Sequence, residues 1–144
     1  MTAATRPAAP AALFAALAGR WRVVRAIRHD DGTRARFEGE AAWTPEGGGL
    51  RCVEAGRLRA GGPAMEARRE TLWSLEDGAV AVRFADGRPF HRMDLGGATA
   101  VHDCAPDRYA LRYDLSAWPR WSVRWRVDGP RKGYRALTRH APLP

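Results

Sequence analysis

Residues 86–104, DGRPFHRMDLGGATAVHDC, contain two of the chain's four histidines and one of its two cysteines. Imidazole titrates near neutral pH and can act as acid, base or metal ligand, so His91, His102 and Cys104 are the first candidates for chemistry. A second set consists of charges in apolar company. In WRVVRAI, Arg25 alternates with Trp21, Val23 and Ile27; in MEARRETLWSL, Arg69 alternates with Met65, Ala67, Trp73 and Leu75. A guanidinium and a phenol match the two oxygens of a carboxylate. Arg25, Arg69, Glu54, Trp73, His91, His102, Tyr109, Tyr113, Trp125 and Tyr134 are therefore the candidate ligand-binding residues.

Each candidate also has a plain structural reading. Zinc takes four ligands, or three in a catalytic site, and the neighbours of the histidines on their face are Met93, Ala100 and Pro89, so no metal ligand is assigned. A histidine pair bonded to Tyr109, Tyr113 or water is the structural alternative, and proton transfer by His91 and His102 the catalytic one. Arg25, Glu54 and Arg69 form either an anion clamp or an internal ion-pair network. Ser74, Ser116 and Ser122 fall on outward or loop positions, and no nucleophile elbow is present. Cys52 and Cys104 lack CxxC spacing and read as small apolar filler.

These residues need a scaffold, and its signature begins at Trp21. From there, alternating segments are cut by DDG, PEGGG, RAGGP, EDG, ADGR, LGGA, APDR, WPR and DGP. About ten strands with tight connections imply neighbour-to-neighbour antiparallel pairing, and closure removes the exposed edges. The fold class is all-β: a single up-and-down barrel of about ten strands, preceded by a short N-terminal helix (Leu13, Phe14, Leu17). The expected organisation is a flexible N-terminus over 1–9, one barrel over 10–140 and a tail over 141–144.

Turn chemistry then fixes the register. A two-residue loop at Asp77-Gly78 pairs Trp73 with Val82, and one at Asp86-Gly87 pairs Val82 with His91. Gly96-Gly97 sets His91 opposite His102; Pro106-Asp107 sets His102 beside Leu111. A three-residue loop from Asp30 to Gly32 pairs His29 with Thr33. All place Trp21, Val23, Arg25, Ile27, Phe37, Trp43, Trp73, Val82, Leu111, Trp121 and Trp125 on the inner face. For the last strand the choice is Tyr134, Ala136 and Thr138 inward, with Arg135 and Arg139 as the alternative.

The stretch FAALAGRWRVVRAI resembles the entrance to a lipocalin or related calycin barrel, a short helix that closes one end and then Gly19-x-Trp21 opening the first strand. The resemblance implies that Trp21 packs at the closed end against an arginine of the last strand, Arg135 or Arg139. DGRPFH, HDC, PDRY and GPRKGY resemble a bacterial family of lipocalin-like domains of unknown function. Some related barrels bind heme, but no pattern here singles it out, and no cofactor is expected.

Of 24 basic residues, only Lys132 is lysine, and the formal charge is +8. No basic run, helix-turn-helix or zinc-finger spacing accompanies that charge, so no specific nucleic-acid partner is expected. The Ala-rich N-terminus is interrupted by Pro7 and Pro10, which disfavours a signal peptide, and no apolar stretch reaches the ~20 residues of a membrane span. The expectation is a cytoplasmic protein binding a small, partly apolar, anionic molecule in its interior, with a homodimer left open. The alternatives are a cofactor-free enzyme using His91 and His102 in the same cavity, and an interaction module acting through its basic outer face.

Overall fold

The computed structural model describes residues 5–96 and 99–144. One helix, α1 (Pro10–Leu17), precedes ten strands: β1 (Gly19–His29), β2 (Arg34–Glu46), β3 (Gly49–Arg59), β4 (Met65–Glu76), β5 (Ala79–Phe84), β6 (Pro89–Arg92), β7 (Thr99–Cys104), β8 (Asp107–Asp114), β9 (Trp121–Asp128) and β10 (Gly133–Pro142). They form one antiparallel sheet in the order β6-β5-β4-β3-β2-β1-β10-β9-β8-β7. The pairing of β1 with β10 rolls the sheet into a barrel, and β6 lies beside β7 without a ladder between them. The barrel is thus closed except for one seam.

Turn chemistry explains why the strands pair as they do. Asp77 and Gly78 both take positive φ, 52° and 75°, the conformation of the two-residue hairpin whose twist suits antiparallel strands. The expected pairs follow, Trp73 with Val82 and Leu75 with Val80. At the β1–β2 loop, His29 N–H donates to Thr33 O at 2.9 Å and Gly32 has φ 90°, the three-residue loop read from the sequence. In β10 the choice also holds: Ala136 and Thr138 are buried, whereas Arg135 and Arg139 are exposed.

Three expectations need correction. The β7–β8 register pairs His102 with Tyr109 and Ala100 with Leu111, two residues from the expected one, because Ala105 and Pro106 form the turn in place of Pro106 and Asp107. Both registers put the same side chains inside. More consequential is the region between His91 and His102. Gly97 of the expected turn lies outside the described residues, as do residues 1–4, and β6 and β7 are not hydrogen-bonded neighbours. His91 and His102 flank the seam; they do not face each other across a ladder. Finally, Arg135 and Arg139 point away from Trp21, which sits opposite Pro142.

Trp21 instead packs among aromatics: Trp43, Trp118 and Trp121 lie at 6.4, 5.6 and 6.1 Å between ring centroids. Its Nε1 donates to Leu17 O at 2.9 Å, pinning α1 to the barrel. Leu13 and Leu17 are fully buried, so the helix plugs this end with its apolar side. The opposite end, ringed by the β1–β2, β3–β4, β5–β6, β7–β8 and β9–β10 loops, is the mouth.

Candidate functional site

The interior is built by strand alternation, which brings every second residue of all ten strands to one face. Seven of the ten candidate residues meet around one central cavity: Arg25, Glu54, Arg69, Trp73, His91, Tyr113 and Trp125. Tyr109 and Tyr134 are half-buried toward the mouth, and His102 is half-buried at the seam. Free volume at the centre is about 30 Å³, roughly the share of one water molecule. The interior is consequently a packed one with a small polar void.

Arg25 is held through all three of its nitrogens. Its Nη1 and Nη2 donate to Glu54 Oε1 and Oε2 at 2.6 and 2.8 Å, and its Nε donates to Thr138 Oγ1 at 2.7 Å. In this geometry Arg25 and Glu54 form a bidentate internal ion pair. Burial by itself would raise the Glu54 pKa, but the bonds from Arg25 and the charges of Arg69 and Arg25 outweigh it and hold the carboxyl below its usual range. Arg69 is held more loosely. Its Nη2 is 3.4 Å from Glu54 Oε2, its Cζ lies 4.8 Å over the Trp125 ring, and its side chain remains 42% exposed. One carboxylate thus serves two guanidinium groups, leaving a net positive charge beneath the mouth.

His91 shares a hydrogen bond with Tyr113, Nε2 to Oη, at 2.6 Å. Burial, reinforced by the charges of Arg69 and His102, depresses the His91 pKa to about 3, so the ring is neutral at physiological pH. Burial also raises the Tyr113 phenol above its ordinary range. The pair therefore offers a neutral imidazole and a protonated phenol as hydrogen-bonding groups. Cys52 is buried and pushed up to about 12, chiefly by desolvation; it is an inert thiol. Among the described residues, no three His, Cys, Asp or Glu side chains come together as metal ligands.

Two interior residues were missed by the sequence reading. His140 continues the inward series Tyr134, Ala136, Thr138 and stacks on Trp121 at 3.6 Å between centroids, nearly parallel. Desolvation lowers its pKa to about 3. Extending the alternation by two residues would have found it. Phe90 follows from a bulge: Arg83 pairs with Pro89 and Val82 with His91, so Phe90 is the extra residue. It turns inward against Phe84, Tyr109 and Trp125, and no sequence signal marked that kink.

The polar accounting of the interior does not close. Trp43 Nε1, Trp121 Nε1, Trp125 Nε1, His91 Nδ1 and His140 Nδ1 are buried with no hydrogen-bond partner among the described residues. All five residues line the same central cavity. Buried polar atoms without partners are rare in folded proteins, and clustering of five around one void sets this region apart from ordinary core.

Comparison with known proteins agrees with the architecture. The S-type phycobiliprotein lyase CPES from Guillardia theta has a similar structure, with a TM-score of 0.66 over 94% of this chain and 93% of that one, at 9% identity. At that identity the likeness concerns the fold, a lipocalin/calycin-like barrel. No curated protein matches the sequence significantly. A family model does match, over residues 17–142, so every strand described above falls within it, and the chain belongs to the family of unknown function DUF6314.

Proposed function

We propose that the barrel binds one small, partly apolar, anionic molecule through its interior, with the charged head at Arg69 and the apolar body against Trp73, Trp125 and Phe84. The observation that carries this reading is the cluster of five unpartnered ring nitrogens around one cavity. Three of them are indole N–H donors, which need acceptors, and the loosely held Arg69 adds an uncompensated charge next to them. The likeness to a lyase barrel adds support at the level of fold. Because the void holds about 30 Å³, the ligand enters from the mouth by displacing Arg69 and the half-buried Phe84, the side chains with space to move.

Native mass spectrometry of freshly purified protein, together with tryptophan fluorescence during titration with decanoate, tests this reading. The expected result is a retained mass or saturable binding that Arg69→Met weakens by about tenfold, the loss of one charge-assisted contact. Protein that is always empty, and whose fluorescence ignores decanoate, overturns it.

A second reading, turnover in the same cavity, is favoured by the 2.6 Å bond between His91 and Tyr113, which keeps a neutral base beside a phenol. Here Tyr113→Phe abolishes conversion of the bound molecule while leaving its binding intact. His102, across the seam, would act on that pair only through the cleft that His91 and His102 both line.

A further inference from the structure

The outer face of the barrel carries a feature unrelated to its interior. Register places Arg34 opposite Arg28, Arg28 opposite Arg135, and Arg135 opposite Arg126, on β2, β1, β10 and β9 in turn. One step along the strands, Arg124 stands opposite Arg112 on β9 and β8. Directly opposed like charges destabilise a sheet. Outside the row, Arg20, Arg36, Arg51, Arg68, Arg83 and Arg88 meet carboxylates, and Arg57 on β3 has no such partner among the described residues. In the row, Arg126 alone has carboxylate partners, Asp30 and Asp128, at 2.7 and 2.6 Å. Among the described residues, Arg28, Arg34, Arg112, Arg124 and Arg135 have no such partner.

These six arginines line a groove of about 570 Å³ together with Ala26, Ala110 and Leu137. From this geometry we infer that the groove is a binding site for a small polyphosphate, an anion with three or four negative charges on adjacent phosphoryl groups. Guanidinium groups pair with phosphate oxygens through parallel N–H bonds. Six cations against two carboxylates leave an excess of four, matching such a ligand. The groove also has the volume of a small-molecule site, which spans about 300–1,000 Å³. The outward side chains of these strands include no aromatic ring, so the stacking platform used for single-stranded nucleic acid is missing.

Calorimetry with inorganic tripolyphosphate at physiological salt, on the full chain, tests the inference. Arg28→Gln and Arg135→Gln are expected to weaken binding by about tenfold each while the melting temperature holds or rises, since each removes a like-charge neighbour. Arg57→Gln, the same charge loss on β3 outside the groove, is expected to change affinity by less than about twofold. Equal weakening by all three variants would reduce the effect to general basicity and overturn the site, as would absence of binding by the wild type. Tighter binding of a single-stranded oligonucleotide or of anionic phospholipid vesicles, with the same dependence on Arg28 and Arg135, would overturn the small-ligand assignment.

Discussion

Arg25 and Arg69 began as equivalent exceptions on apolar faces, and their surroundings separate them. Arg25 donates three hydrogen bonds to Glu54 and Thr138, whereas Arg69 has one long contact and an aromatic ring. Removing one partner of a buried pair leaves the other charged and unpaired. Glu54→Gln is therefore expected to lower the unfolding free energy by about 3–5 kcal/mol, and the double replacement Arg25→Met with Glu54→Leu by clearly less; urea denaturation of the two variants checks this. Parity alone identified these three residues as interior. It did not rank them, since the choice depends on distances between β1, β3, β4 and β10 that are set by barrel curvature.

At the scale of elements, close strand approach has a visible device. Gly39 on β2 and Gly56 on β3 are directly paired on the inner face. A Cβ on Gly39 would collide with the backbone of Ala55 and Gly56, and one on Gly56 with the backbone of Glu38 and Gly39. The pair lets the two strand backbones approach closely at this point of the wall. Gly39→Ala is expected to lower stability by roughly 1–3 kcal/mol through forced backbone shifts, with a drop in melting temperature by circular dichroism as the readout. The hairpins show how far turn chemistry reaches. Asp77-Gly78 fixed β4 against β5 because positive φ at both positions admits one geometry. Among the described residues, β6 and β7 share no ladder, because a turn signal between two segments does not specify that they must pair. Pro89 helps explain why: it lacks an N–H for a ladder, and the bulge that follows directs Phe90 and His91 both into the interior.

For the whole molecule, two buried neutral histidines make stability a function of pH. His91 and His140 have pKa values of about 3 in the folded chain, against 6.5 for the free side chain. The unfolded chain therefore takes up protons first as pH falls. Stability is complete above about pH 6.5 and declines down to about pH 3, by at most about 1.4 kcal/mol per pH unit for each histidine. Glu54, whose pKa is lowered, contributes on the same side: its stabilisation is present above the ordinary carboxylate range and is lost on acidification. The urea midpoint is expected to be flat near neutrality and to fall steeply below about pH 6, with His140→Gln removing about half of the histidine-linked fall. An unchanged slope in that variant would refute the assignment of the acid sensitivity to His140.

What the sequence determined by itself was local and periodic: ten strands, their inward faces, a plugging helix and most hairpin registers. Those follow from two-residue alternation and from backbone geometry at glycine and aspartate, which a few adjacent residues settle. The seam between β6 and β7, the division of labour between Arg25 and Arg69, the partnerless nitrogens around the central void and the outer arginine row were decided only by the tertiary structure. Each depends on which distant strands become neighbours. That outcome belongs to the curvature of the whole sheet, and no short stretch of residues encodes it.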